Sequence, residues 1–164
     1  MKNILIIRSV SFQQLDLNLP AIKKQYAPCN ISLLTHEHGV KLAEKYSDIE
    51  NIYVYPYKNG FNMADKVTEL TDINFDVVVV PVTNINGGGF FNVLKFSKSI
   101  NAKERVMCNV ISKIKSFTIG KIYWMEFKTA IMQIISFLGT LIISPLVLII
   151  LLFKLKGIEK KWKY

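Results

Sequence analysis

The segment Phe75-Asp76-Val77-Val78-Val79-Val80 decides the fold that the sequence predicts. Its four consecutive valines are β-branched and favour an extended chain. A run without polar alternation is typical of a strand that is buried on both faces, as in a parallel sheet covered by helices on both sides. We therefore expect residues 75–80 to form a central strand of an α/β domain.

Further apolar segments alternate with helical segments on either side of this strand. The predicted strands cover residues 3–7, 30–35, 51–55 and 105–110, and the predicted helices cover residues 12–26, 37–46, 62–70 and 91–100. This alternation predicts right-handed crossovers, with any ligand crevice at the edge where the strands end. The predicted fold class for residues 1–116 is α/β, with a single Rossmann-like, doubly wound parallel sheet of about five strands.

The C-terminal part of the chain has a different composition. Residues 129–153 are 25 consecutive positions without a charged side chain. A helix of that length reaches roughly 37 Å, which exceeds the roughly 30 Å of bilayer hydrocarbon, so we expect a membrane helix there. Of the net charge of +9, the larger share lies after Ser116, where 7 Lys and Arg stand against 2 Asp and Glu. A basic excess beside an apolar run favours lipid headgroups over nucleic acid as the partner.

Two arrangements of this membrane helix stay open. Basic residues flank it on both sides, with Lys128 before it and Lys154 and Lys156 after it. The positive-inside rule favours a cytoplasmic position for each flank. A re-entrant helix that bends at Ser144 and Pro145 places both flanks on the cytoplasmic side. A plain span places only one flank there, the more basic C-terminal one.

The neighbouring segments complete the predicted organisation. We expect an interfacial amphipathic connector over residues 117–128, with Trp124 at the headgroup level, and a basic tail over residues 154–164. Residues 141–157, in which a Ser-Pro pair precedes a basic exit, resemble the re-entrant membrane helix of monotopic phosphoglycosyltransferases. The expected location is the inner (cytoplasmic) membrane, with the soluble domain facing the cytoplasm.

The soluble domain resembles a second family. A first strand that ends in Arg8, a helix carrying Pro20-Ala21-Ile22-Lys23, and a strand that follows Phe75-Asp76 occur in the order seen in the N-terminal, acceptor-side half of lipopolysaccharide heptosyltransferase-like glycosyltransferases of the B-type fold. The resemblance covers about residues 2–110. It implies a role in cell-envelope glycan (polysaccharide) biosynthesis, on or beside a polyprenyl-phosphate-linked acceptor.

The sequence also departs from that family. Its second Rossmann-like domain, which binds the sugar donor, is not in this chain, so the resemblance implies a glycosyltransferase or phosphoglycosyltransferase partner. The family's Gly-Asp pair, whose Asp is the candidate base, corresponds here to Gln13-Gln14, and a glutamine amide accepts no proton near neutral pH. Asp16 is the one nearby substitute. We expect the isolated chain to be inactive; the alternative is a non-catalytic binding or scaffold module with a degenerate glycosyltransferase fold.

Two segments at the expected ligand edge are candidate binding loops. The loop after the central strand, with Asn86, Gly87, Gly88 and Gly89, offers backbone N–H groups ahead of a helix, which suits a phosphate; a flexible turn is the alternative. The loop after the first strand supplies the acceptor-side set Ser9, Ser11, Gln13 and Gln14.

The remaining chemistry-bearing residues predict no metal site and no cofactor. His36 and His38 flank Glu37 directly after the second predicted strand. A metal ion would need further ligands that the sequence does not place nearby. A surface cap at the start of a helix is therefore the favoured role of this pair.

Overall fold

The structure is a computed structural model that describes residues 1–161, with side chains described for residues 1–155. The chain divides into two compact units, Met1–Trp124 and Met125–Tyr164. The first unit is a mixed α/β domain with one six-stranded sheet, and the second belongs to one long apolar helix. Most side chains of the predicted basic tail over residues 154–164, including that of Lys156, lie outside the described part of the chain.

Strands and helices alternate along the first unit. The strands are β1 (Lys2–Ile7), β2 (Cys29–His36), β3 (Asn51–Tyr55), β4 (Phe75–Pro81), β5 (Ala102–Cys108) and β6 (Ile114–Ser116). The helices are α1 (Phe12–Tyr26), α2 (Val40–Ala43), α3 (Phe91–Phe96) and α4 (Ile119–Lys161), and short 3₁₀ turns occur at Glu37–Gly39, Thr68–Leu70 and Ser97–Ser99.

The order of the strands places a crossing point in the middle of the sheet. The order is β3-β2-β1-β4-β5-β6, in which β1 to β5 are parallel and β6 runs antiparallel to β5. The chain moves outward from β1 to β3 and then crosses back to β4, so the direction of winding reverses between β1 and β4. Val78, Val79 and Val80 are fully buried in β4, which confirms the predicted central strand.

Both faces of the sheet are buried. On one face Ile4 and Ile6 of β1 pack in a cluster with Leu15 and Ile22 of α1. Burial of an aliphatic side chain of this size contributes about 1.5–3 kcal/mol, so this face supplies much of the stability of the unit. The alternate residues of β1 are also fully buried. A right-handed crossover from β4 to β5 puts α3 on that second face, where Phe96 contacts the ring of Tyr55 at the end of β3 and the ring of Phe61 after it.

The predicted helix over residues 62–70 is wrong. Only its last residues, Thr68–Leu70, form a 3₁₀ turn. The hydroxyl of Tyr55 donates to the Asp65 carboxylate and accepts from the Asn62 N–H at 3.3 Å. These contacts with the end of β3 hold the segment in an open loop, and they outweigh a weak local preference for helix.

Other predicted elements shift at their ends. The helices expected over residues 37–46 and 91–100 are shorter, because each contains a 3₁₀ turn next to a short α-helical segment. The strand expected over residues 105–110 begins and ends earlier. The Asn109 side-chain oxygen accepts from the N–H groups of residues 111 and 113, and Ser112 has a φ of 58°, so the chain turns back into β6. The sequence did not predict β6.

The membrane segment is part of a continuous helix. α4 passes through Ser144 and Pro145, and residues 119–155 are the one helix of the described chain with the length and mean hydropathy, 2.7, to cross a membrane. Thr129 and Thr140 donate their hydroxyls to backbone carbonyls one turn earlier, which satisfies these polar groups within the helix. A plain span requires a helix that continues through Pro145, as α4 does.

The expected interfacial connector is in part a piece of the α/β unit. Phe117 and Ile122 are buried there, with 8% and 1% of their surface exposed. The Tyr123 hydroxyl lies 3.1 Å from the sulfur of Met63, so the first turn of α4 packs on the first unit. Trp124, the predicted headgroup anchor, is 65% exposed.

Candidate functional site

A cleft of about 560 Å³ opens at the carboxyl edge of the sheet. Residues 8–11 after β1, His36 and His38 at the end of β2, Phe61 after β3, and Thr83 and Phe90 after β4 line it. The cleft therefore lies where the winding direction reverses, which is where open α/β sheets bind their ligands. Its volume lies in the range of pockets that hold small molecules.

Arg8 is the one permanently charged side chain among the residues lining the cleft, all of which lie within residues 8–93. It directly follows β1, and its Nε donates to the buried Thr35 hydroxyl at 2.7 Å. Nη1 donates to the carbonyl of Val10 at 3.3 Å, and Nη2 donates to Nε2 of His38 at 3.2 Å. The guanidinium carbon lies 4.8 Å from the ring centre of Phe12, which fixes the plane of the group.

The charge of Arg8 has no anionic partner in the described part of the chain. Burial lowers the pKa of the guanidinium, which nevertheless stays charged at physiological pH. A half-buried cation whose partners are a hydroxyl, a carbonyl and an imidazole leaves a positive potential in the cleft. The electrostatics of the cleft therefore favour an anionic ligand.

Two stacked imidazoles form one wall of the cleft. The rings of His36 and His38 are 5.6 Å apart and nearly parallel, and His36 meets the edge of the Phe61 ring at 4.9 Å. Burial, opposed by a hydrogen bond to the Asn59 carbonyl and assisted by His38 and Arg8, lowers the pKa of His36 from its ordinary 6.5. His36 occupies the N-cap position of the 3₁₀ turn Glu37–Gly39, as expected, but its side chain makes no capping hydrogen bond. Residues 1–155 contain no cluster of His, Cys, Asp or Glu that could hold a metal ion.

The glycine-rich loop forms another wall, and it is braced from within. Oδ1 of Asn84 accepts from the N–H groups of Asn86 and Gly87 at 3.1 and 2.5 Å, and its Nδ2 donates to the carbonyl of Gly88 at 2.5 Å. Two of the N–H groups that suited a phosphate are thus bonded to a side chain of the loop itself. Of the four loop residues considered above, Gly89 lines the cleft.

The predicted acceptor-side set divides into two pairs. Ser9 and Ser11 line the cleft. The Ser9 hydroxyl donates to the Pro81 carbonyl at 2.5 Å. Ser11 caps α1, because its hydroxyl oxygen accepts from the Gln14 N–H at 3.3 Å. Gln13 is exposed on α1, and the amide of Gln14 donates to Asn18 and to the carbonyl of residue 110. The structure therefore brings the two serines, but not the two glutamines, to the cleft.

Asp16 lies outside the cleft. Its carboxylate accepts from the Tyr46 hydroxyl at 2.5 Å, beside Lys23 and Asp48. The lining residues, all within residues 8–93, include no carboxylate.

No family model, curated protein or solved structure matches this chain. The chemistry of the cleft is therefore inferred from its geometry. A fixed cation, hydroxyl groups and aromatic rings line the cleft, and this combination is suited to an anion that carries a less polar group.

Sequence reasoning did not place Arg8 or the two histidines in the site. Arg8 entered only as the end of a strand in a family resemblance, and the histidines as a surface cap. A usable signal was present, because Arg8 and His36 end adjacent parallel strands, and such strand ends meet at one edge of the sheet.

Proposed function

We propose that this chain is a membrane-anchored, Rossmann-like binding module of cell-envelope glycan assembly, which holds an anionic ligand in its cleft and works beside a catalytic partner. The observation that carries the proposal is the unpaired Arg8 guanidinium at the reversal point of the sheet. A half-buried charge without a counter-ion has lost part of its hydration, and a ligand that supplies the counter-ion recovers part of that cost as binding energy.

Binding rather than catalysis is favoured by the composition of the cleft. Transfer of a sugar to a hydroxyl needs a group that accepts the proton of that hydroxyl. The residues lining the cleft, all within residues 8–93, include no Asp or Glu, and Asp16 is hydrogen-bonded to Tyr46 elsewhere. Nε2 of His38 already accepts from Arg8. A partner protein would therefore supply the catalytic groups.

A catalytic glycosyltransferase subunit is the second candidate function. His36 lines the cleft, and its lowered pKa favours the unprotonated imidazole, the form that a general base requires. The order of elements that resembles the acceptor-side half of heptosyltransferase-like enzymes supports the same reading. In this case a polyprenyl-phosphate-linked glycan would be the acceptor.

The membrane helix supports a location beside lipid-linked substrates. Residues 129–153 carry no charge, and α4 runs through them without interruption. We propose the cytoplasmic side of the inner membrane for the first unit. Lys128 on the N-terminal flank favours this side, whereas in a plain span the more basic C-terminal flank favours the opposite orientation. Anchoring confines the cleft near the membrane, which raises the effective concentration of any ligand embedded there.

A ligand and product assay on the full chain in neutral detergent separates the two candidates. We expect nucleotide sugars and sugar phosphates to raise the thermal unfolding temperature while no glycosyl product forms. Product formation by the isolated chain would refute the binding-module proposal and support the enzyme. A pull-down from membranes should recover a glycosyltransferase or phosphoglycosyltransferase; recovery of neither would count against the partner.

Asp16→Asn is the control variant that tests whether the ligand-induced shift in unfolding temperature is specific to the cleft. The carboxylate of Asp16 bonds to Tyr46 outside the cleft, so its neutralisation should leave the ligand-induced shift unchanged. An equal loss of the shift in this variant would show that the cleft is not where the ligand binds.

A further inference from the structure

The guanidinium of Arg8 has donor capacity that the described residues do not use. An arginine side chain has five N–H groups. Three are bonded to Thr35, Val10 and His38, which leaves one N–H on each terminal nitrogen without a partner among the described residues. Because the guanidinium lines the cleft, these two donors are available to a ligand there. Terminal guanidinium N–H groups are well suited to the oxygens of phosphates.

The position of the guanidinium is set by packing. Thr35, which is fully buried, accepts from Nε at 2.7 Å, and the Phe12 ring lies against the plane of the group. Gly39 leaves room for this pair, since a methyl group there would collide with the Thr35 hydroxyl and lie 3.0 Å from Nη2 of Arg8. Arg8 is therefore held in place before a ligand arrives, which lowers the entropic cost of binding.

Hydroxyl donors line the same cleft from two other elements. The oxygen of Ser11 accepts from the Gln14 N–H as the cap of α1, so its hydroxyl proton is free to point at a ligand. Thr83, after β4, adds a second hydroxyl. Donors that come from three segments suit a tetrahedral oxyanion better than a planar carboxylate, because the oxygens of the tetrahedral group point in different directions.

We infer that Arg8, Ser11 and Thr83 form a seat for the phosphoryl group of a phosphate ester, and that the esterified group packs against Phe61 and Phe90. The inference rests on the proposed binding function and names the chemical group that the cleft selects. The volume of about 560 Å³ leaves room for the esterified group beside the phosphate, and the two phenylalanines give it an apolar surface.

The primary test is calorimetric titration of the full chain in neutral detergent with inorganic phosphate, glucose 1-phosphate and, as the planar anion, acetate. We expect the two phosphates to bind and acetate to bind at least tenfold more weakly. Arg8→Gln should weaken the binding of glucose 1-phosphate by about 10- to 100-fold, because charge-assisted hydrogen bonds are lost. Lys103→Gln is the matched control: it removes a charge that is 80% exposed and paired with Asp76, and should change the affinity less than twofold.

A pair of substitutions at Ser11 tests the seat without removing Arg8. Aspartate and asparagine both serve as helix N-caps, so Ser11→Asp and Ser11→Asn should fold equally well. They differ in charge alone: Ser11→Asp should abolish phosphate binding by pairing with Arg8, whereas Ser11→Asn should keep it within about fivefold. Equal phosphate affinities of the two variants would overturn the inference.

Vesicles distinguish the source of the phosphate. The full chain is reconstituted into phosphatidylcholine vesicles with either a polyprenyl phosphate or phosphatidylglycerol, and glucose 1-phosphate is titrated. A loss of glucose 1-phosphate binding in the polyprenyl phosphate vesicles alone identifies a lipid-linked ester, and unchanged binding in both identifies a soluble ester. Binding of nucleotide sugars without binding of simple phosphates would overturn the phosphoryl seat and leave the binding module standing. Binding of no anion by the wild-type chain would overturn both.

Discussion

Alanine at Gly87 should destabilise the α/β unit much more than alanine at the adjacent Gly88. Gly87 has a φ of 79°, a left-handed conformation that costs an L-residue about 1–2 kcal/mol. A Cβ there would also lie 3.2 Å from Cδ1 of Leu94 and 3.3 Å from the sulfur of Met107, and overpacking of this kind costs on the order of 1 kcal/mol. We therefore expect Gly87→Ala to lower the free energy of unfolding by about 2–3 kcal/mol.

The two neighbouring glycines separate these contributions. Gly89 shares the left-handed conformation, with a φ of 80°, but a Cβ there meets nothing within 4 Å, so Gly89→Ala should cost about 1 kcal/mol. Gly88 has no positive φ and the same open surroundings. Gly88→Ala should therefore be neutral or slightly stabilising, because alanine restricts the unfolded chain.

The rate at which a buried thiol is alkylated measures how the three alanine variants differ in the free energy of unfolding. Cys108 has no exposed surface, and burial raises its pKa to about 11, so it reacts only when the unit opens. The measurement uses a Cys29→Ala background. If Gly87→Ala lowers the free energy of unfolding by about 2–3 kcal/mol, Cys108 should be labelled about 30- to 150-fold faster in that variant. Equal labelling rates for the three alanine variants, or fastest labelling for Gly88→Ala, would refute the reasoning.

Three further predictions follow from the contacts of single side chains. Burial lowers the pKa of His36 below 6.5, so the unfolded chain binds more protons than the folded chain as the pH falls through about 6.5. The unfolding temperature should therefore fall with acidification, and His36→Gln should flatten this pH profile. Identical profiles of the wild type and the variant would contradict the prediction. Asn18→Ala removes hydrogen bonds to the Asn109 carbonyl at 3.0 Å and to Ser112 at 3.2 Å. It should lower the free energy of unfolding by about 2 kcal/mol in urea denaturation, a measurement that does not use Cys108, which Asn18 contacts; an unchanged value would show that these bonds are dispensable. In a background without native cysteines, Lys128→Cys and Lys154→Cys should react with an impermeant reagent from opposite sides of the membrane, since α4 is continuous; labelling of both from one side would establish the re-entrant arrangement.

The fold was readable where the relevant forces act locally. The valines of β4 identify a central strand by composition alone, and α1 and β3 have the bounds that their patterns predict. The segment 62–70 was misread because the Tyr55 hydroxyl, supplied by another element, binds its polar groups. β6 has three residues and forms because the turn at Asn109 returns the chain to β5, which no periodicity in so short a segment reveals.

The sequence predicted the edge of the sheet at which the cleft lies, but not which groups are available to a ligand there. The rule that ligands bind at the carboxyl ends of parallel strands predicts the edge at which the cleft opens, and Ser9 and Ser11 line that cleft. The sequence does not reveal which donors are already in use. That Asn84 bonds to the N–H groups of its own loop, and that Arg8 keeps two donors, are outcomes of tertiary packing.

The brace within the glycine-rich loop has a kinetic consequence. Because the Asn84 carboxamide, and not a ligand, holds Asn86, Gly87 and Gly88 in place, this wall of the cleft has the same shape when the cleft is empty. An incoming molecule does not wait for the loop to order, so the encounter rate is governed by diffusion and electrostatic attraction. Affinity differences between ligands should then appear chiefly as differences in residence time, so that many molecules are sampled and few are retained.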